Sequence, residues 1–204
     1  MHNSTVNRAT TEPAALFNVP MLLTWARIAM IPMVVGVYYL PDAWLSPLWK
    51  NITGCALFTV AAITDAVDGW YARKFGQITR LGAFLDPVAD KLMVCAALVV
   101  LLSLDRVDAF VALVIIGREI TVSALREWMA QIGASANVAV NWLGKAKTIM
   151  QMVAIPVLLF WEPLFGVIPV AQIGTVLIYL AAVLTVYSML YYLRLAWPHL
   201  SGRV

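Results

Sequence analysis

The sequence predicts an all-α integral membrane protein with six transmembrane helices, and three observations carry that prediction. The 204 residues are 62% hydrophobic and only 12% charged, whereas a soluble domain carries roughly 25% charged residues. The apolar residues run together in segments close to the ~20 needed to cross a bilayer core. Short polar or proline-bearing breaks separate six such segments without any change of composition between them. Residues 19–204 therefore read as one six-helix domain, preceded by an N-terminal cytoplasmic or interfacial segment, 1–18.

The first span is expected from Val19 to Leu40, ended by Pro41-Asp42. No cleavable leader is expected, because residues 1–17 hold one cation, Arg8, and no apolar run. The second helix is expected from near Ile52 to Arg73, with a short connection over Phe75 to Leu81. Gly82 is expected to open the third, with Pro87 near its start, where a missing amide hydrogen costs least. A polar loop, Leu104 to Asp108, leads to the fourth span, Ala109 to Met129. The fifth runs from Trp142 to Trp161 and the sixth from Pro169 to Leu193. Tryptophans near the ends, such as Trp49, Trp128 and Trp161, suit an interfacial belt. Cys55 and Cys95 sit alone in apolar runs and read as packing residues, and His2 and His199 have no ligand-like neighbours.

Orientation follows from the cations. With a cytoplasmic amino terminus, only Lys50 and Arg106 of the fourteen Lys and Arg fall on the opposite side. The positive-inside rule then places both termini and the second-to-third-helix connection in the cytoplasm.

Four of the eleven acids gather in that connection and its flanks, TDAVDGWYARKFGQITRLGAFLDPVAD, Thr64 to Asp90. Helical spacing puts Asp65 and Asp68 on one face of one helix, and Asp86 and Asp90 on one face of the next. Four carboxylates brought together repel one another unless divalent cations with a preference for hard oxygen ligands sit among them. Small residues lie one turn from the acids: Gly69 after Asp65, Ala72 after Asp68, Gly82 before Asp86. They leave room for a ligand to approach the backbone, and Arg73 and Arg80 can pair with phosphate oxygens. The combination points to a metal-bridged pyrophosphate.

The run Asp65, Asp68, Gly69, Ala72, Arg73, Gly82, Asp86, Asp90 resembles the signature of the CDP-alcohol phosphatidyltransferases at every signature position. NVPMLLTWARI, GREITVSALREWMA and GKAKTIMQMVAI extend the likeness over nearly the whole chain, toward the bacterial branch that makes phosphatidylglycerophosphate; Met21 is a local departure. The resemblance implies the family's fold in a bacterial inner membrane, a homodimer, and transfer of a phosphatidyl group from CDP-diacylglycerol to an alcohol with release of CMP. It implies Mg2+ or Mn2+, two ions, with Asp65, Asp68 and Asp86 on one, Asp86 and Asp90 on the second, and Asp90 as general base. Asp65, Asp68, Gly69, Ala72, Arg73, Thr79 and Gly82 carry over as the donor site.

The later cations speak to the acceptor. Arg118 lies near the middle of the fourth span, where a lone arginine costs on the order of 2.5–3.5 kcal/mol, so it should face the bundle interior. Its bland alternative is an intramembrane ion pair, with Glu119 or a third-span acid. With Arg126, Lys145 and Lys147 it can bind an acceptor phosphate, although Lys145 and Lys147 lie about 200° apart on a helix and cannot serve one ligand equally. The set fits glycerol 3-phosphate better than serine. Other acceptors, serine or inositol phosphate, and a six-helix cation transporter are the rival readings; a transporter would spread its acids through the bilayer. No nucleic-acid partner is expected, and membrane lipid is the surrounding medium.

Overall fold

The computed structural model describes residues 19–75, 80–134 and 142–201. They form six helices: α1 (Val19–Tyr39), α2 (Pro47–Phe75), α3 (Arg80–Ser103), α4 (Ala109–Gln131), α5 (Trp142–Phe160) and α6 (Val170–Leu200). No strand occurs among the described residues; one isolated bridge, Leu164 to Ile168, pins the turn between α5 and α6. The expected interfacial lead-in and Thr79 lie outside the described residues.

The helices fall where the apolar runs put them, and the differences are at their ends. α2 begins at Pro47 rather than near Ile52, since proline at a first helical position forfeits no hydrogen bond and the Lys50 amide already donates to the Ser46 carbonyl at 2.9 Å. α3 begins at Arg80, ahead of Gly82, so Pro87 lies two turns inside it rather than near its start. α6 runs past Leu193 to Leu200, with Pro198 in its final turn. Before α4, Asp108 caps the helix by accepting the Phe110 amide at 2.7 Å. Among the described residues, two helical segments, Met21–Tyr39 and Val170–Leu200, are long and apolar enough to cross a membrane.

α1 packs on α2 and α3, α5 on α6 and α2, and α4 on α6. Their shared core includes Phe58, Leu98, Ile115, Ile155 and Ile178. A smaller cluster, Val122, Leu125, Met129, Tyr192 and Ala196, joins α4 to α6 nearer the other end. α5 and α6 approach closely at Gly174, where any Cβ would meet Leu158 at 2.8 Å.

At the end of the bundle formed by the α1–α2, α3–α4 and α5–α6 connections, Arg106 ties the elements together. Its guanidinium donates to the Leu158 and Leu159 carbonyls at 3.0 and 2.8 Å, satisfying the carbonyl end of α5, and to Asn51 Oδ1 at 2.7 Å. It also stacks over Trp161, 5.0 Å from the ring centre, and Asn51 donates onward to Glu162 at 3.2 Å. Burial draws the Arg106 pKa below the ordinary arginine value, and Tyr38 and Glu162 oppose that shift. The cation therefore serves as an internal fastener. Arg106→Ala should cost roughly 2–3 kcal/mol, read as a lower melting midpoint in detergent, and Arg106→Lys should recover only part, because one ammonium cannot span all three acceptors.

Candidate active site

The opposite end of the bundle gathers the acids. Asp65 lies in the C-terminal half of α2, and Asp86 and Asp90 in the first half of α3, one turn apart on a single face. All three carboxylates converge on one turn of α1. Arg27, 1% exposed, places one guanidinium nitrogen 2.9 Å from Asp65 Oδ1 and 3.1 Å from Asp90 Oδ1. Thr24, three residues earlier, donates its hydroxyl to Asp86 Oδ1 at 2.6 Å. Gly69 lies one turn after Asp65, and Gly82, buried, one turn before Asp86. The side chains of Asp68, Ala72, Arg73 and Lys145 lie outside the described residues, as does all of Thr79.

The donor chemistry fits a hard divalent ion, since every described acid of the cluster offers only carboxylate oxygen. Among the described residues no three potential ligands already stand together as a metal set. Arg27 takes the position between two of them.

Beside the acids, two cavities adjoin. The smaller, about 220 Å³, is lined by Asp90, Lys91, Glu119, Lys147 and Gln151 among others. The larger, about 510 Å³, is lined by Lys91, Arg118, Glu119, Arg126 and Glu127 among others. Pro87, Lys91, Glu119 and Thr148 line both, so a continuous polar wall runs from Asp90 to Arg126. Arg118 faces the bundle interior as expected, 8% exposed. It donates to Ser188 at 3.1 Å, lies over Tyr192 at 5.9 Å, and stands 3.6 Å from Glu119, so the ion pair and the cavity-lining position coexist. Lys147, 2% exposed, pairs with the same Glu119 carboxylate. Lys91 and Arg126 pair with no carboxylate among the described residues.

A CDP-alcohol phosphatidyltransferase family model matches residues 17–187. The chain belongs to that family. It is also similar to enzymes called CDP-diacylglycerol–glycerol-3-phosphate 3-phosphatidyltransferase. Those of Salmonella choleraesuis strain SC-B67 and Shigella flexneri are 48% identical, and that of Pectobacterium atrosepticum is 50% identical. Each match covers 88% of this chain and 95% of the relative. Family membership covers both the carboxylate end and the helices that carry Arg118 and Lys147.

Sequence reasoning did not single out Thr24, Arg27, Lys91, Glu119 as a shared counter-ion, or Gln151. Arg27 carried a usable signal: it is a lone arginine in an apolar segment, and the cost argument applied to Arg118 demands a partner for it as well. Lys91 directly follows Asp90 in the chain, and its place at the seam of the two cavities comes from the packing of α3 against α4 and α5.

Removing the Arg27 charge leaves Asp65 and Asp90, each 38% exposed at the side chain, facing each other with no cation between them. Arg27→Met should therefore cost about 1–3 kcal/mol, measured by thermal unfolding in chelator. A divalent cation should raise the melting midpoint of the variant more than that of the unaltered protein, and an equal rise in both would remove Arg27 as the resident counter-charge.

Proposed function

We propose that this chain is a six-span bacterial inner-membrane enzyme that transfers the phosphatidyl group of CDP-diacylglycerol to glycerol 3-phosphate, giving phosphatidylglycerophosphate and CMP. The observation that carries the reading is the continuous wall from Asp90 to Arg126 in a member of the CDP-alcohol phosphatidyltransferase family. A carboxylate stands at one end of it and phosphate-binding cations at the other. The names of the bacterial relatives point to the same donor and acceptor.

The membrane assignment is supported by the apolar outer surface. Phe110 and Leu113 are 72% and 68% exposed, and apolar side chains such as Leu22, Met33, Ile149, Val176 and Val183 are exposed on three other helices. An apolar surface that extensive is costly in water and neutral in lipid. Both termini and the carboxylate end would face the cytoplasm, where the acceptor is, and the active unit would be the homodimer expected from the family resemblance.

Asp65, Asp68, Asp86 and Asp90 would hold Mg2+ or Mn2+, two ions as the family resemblance implies. Bound there, divalent ions neutralise the pyrophosphate and stabilise charge on the attacking and leaving oxygens. Gly69, Ala72 and Gly82 leave space for the donor head, and Arg73 and Thr79 would contact it. Lys91, Arg118 and Arg126 would hold the acceptor phosphate, with Lys145 and Lys147 adding positive charge nearby. Asp90 would take the proton of the acceptor hydroxyl. The hydroxyl oxygen then bonds to the phosphatidyl phosphorus as the bond from that phosphorus to the bridging oxygen breaks, and CMP leaves with that oxygen.

The test is CMP release by folded protein supplied with CDP-diacylglycerol, glycerol 3-phosphate and Mg2+. Release that depends on glycerol 3-phosphate and stops with chelator is expected; no release, or equal release with serine or inositol phosphate, would overturn the assignment. Asp90→Asn should lower kcat by about 10²-fold or more while CDP-diacylglycerol still binds. Arg118→Ala should raise the acceptor KM on the order of tenfold or more, with a smaller effect on the donor KM.

A further inference from the structure

The smaller cavity contains a polar group that the transfer step above does not use. Gln151 is 3% exposed and lies one turn after Lys147 on the same face of α5. It lines the cavity together with Asp90, yet its side-chain carbonyl oxygen accepts no hydrogen bond from the described residues. A buried acceptor left without a donor is expensive. A protein tolerates that cost most readily where a ligand brings the donor.

The neighbours restrict what that ligand group is. Lys147, the nearest cation along α5, is committed to Glu119, and its charge disfavours an ammonium group beside it. A phosphate or carboxylate oxygen carries no proton to give to a carbonyl at neutral pH. A neutral hydroxyl satisfies both conditions. The larger cavity has the complementary orphan: Arg118 is nine-tenths buried, and its Nε donor has no acceptor among the described residues, which is what an incoming phosphate oxygen would supply. One cavity lacks a donor and the other lacks an acceptor, and Lys91 stands at their seam.

We propose that Gln151 is a specificity-determining residue, whose side-chain carbonyl accepts a hydrogen bond from the acceptor hydroxyl that does not react. The inference rests on the glycerol 3-phosphate reading and deepens it. The reacting hydroxyl lies at Asp90, its neighbour at Gln151, and the phosphate at Arg118, so the site selects a phosphorylated vicinal diol rather than any phosphorylated alcohol.

The experiment compares glycerol 3-phosphate with 3-hydroxypropyl phosphate, which keeps the reacting hydroxyl and the phosphate but lacks the middle hydroxyl. The full-length enzyme should prefer glycerol 3-phosphate on the order of tenfold in kcat/KM. Gln151→Met should bring that ratio close to one, and Gln151→Glu, which keeps an acceptor oxygen, should retain more of it. A ratio in Gln151→Met equal to that of the unaltered enzyme overturns the proposal. So does a ratio near one in the unaltered enzyme, a measurement that needs no variant to fold. Failure of the folded, unaltered enzyme to use either acceptor would instead count against the reaction itself.

Discussion

The contact between Arg27 and the two carboxylates of Asp65 and Asp90 is the constraint on which the carboxylate end depends. An arginine buried to 1% exposure is tolerable only with its charge answered. Two aspartates on different helices are tolerable near each other only with a cation between them. Each side resolves the other's difficulty, and the resolution requires α1, α2 and α3 to meet at one place. At the far end Arg106 performs the equivalent service with backbone carbonyls and Asn51. Between these polar fasteners the core around Phe58, Leu98 and Ile155 is apolar and carries little directional information of its own.

The cations of the site end divide by what they already hold. Arg27 is committed to Asp65 and Asp90, and Lys147 and Arg118 share Glu119. Glu119 would repel an incoming phosphate if it stood alone; neutralised from two sides, it fixes both cations instead. Lys91 and Arg126 face the same cavity, which Glu119 and Glu127 also line, but neither forms an ion pair with a carboxylate among the described residues. A wall in which some cations are structurally neutralised and others are not can bind an anion without collapsing when empty.

The six helices were legible in the sequence because proline, glycine and short polar loops interrupt the apolar runs, and the acids were legible because helical spacing puts them in pairs. The interior position of Arg118 followed from the cost of leaving it in lipid. What spacing cannot reveal is which residues meet across helices: Thr24 and Asp86 are separated by 62 positions, and Arg27 and Asp90 by 63. The sharing of Glu119 by Lys147 likewise crosses 28 positions. Helix ends moved for local reasons, Pro47 starting α2 early and α6 continuing past Leu193, because apolar content marks a membrane span and not the length of the helix containing it.

The two contacts from α1 to α3 carry one more consequence. Thr24 and Arg27 are three residues apart, and their partners Asp86 and Asp90 are four apart in the same chain direction. Steps of three and four are both about one helical turn, so the helices run locally parallel and meet turn for turn. A slip of one turn along either helix would set Arg27 against Asp86 or carry it beyond Asp90, leaving a buried charge without its match. The pairing thus fixes the height of Asp86 and Asp90 relative to Asp65 on α2, to within less than a turn. Met21 lies one turn further toward the amino terminus and is buried at 2% exposure. It lies beyond the two residues that set this register, which is why an apolar side chain there is compatible with an intact carboxylate cluster.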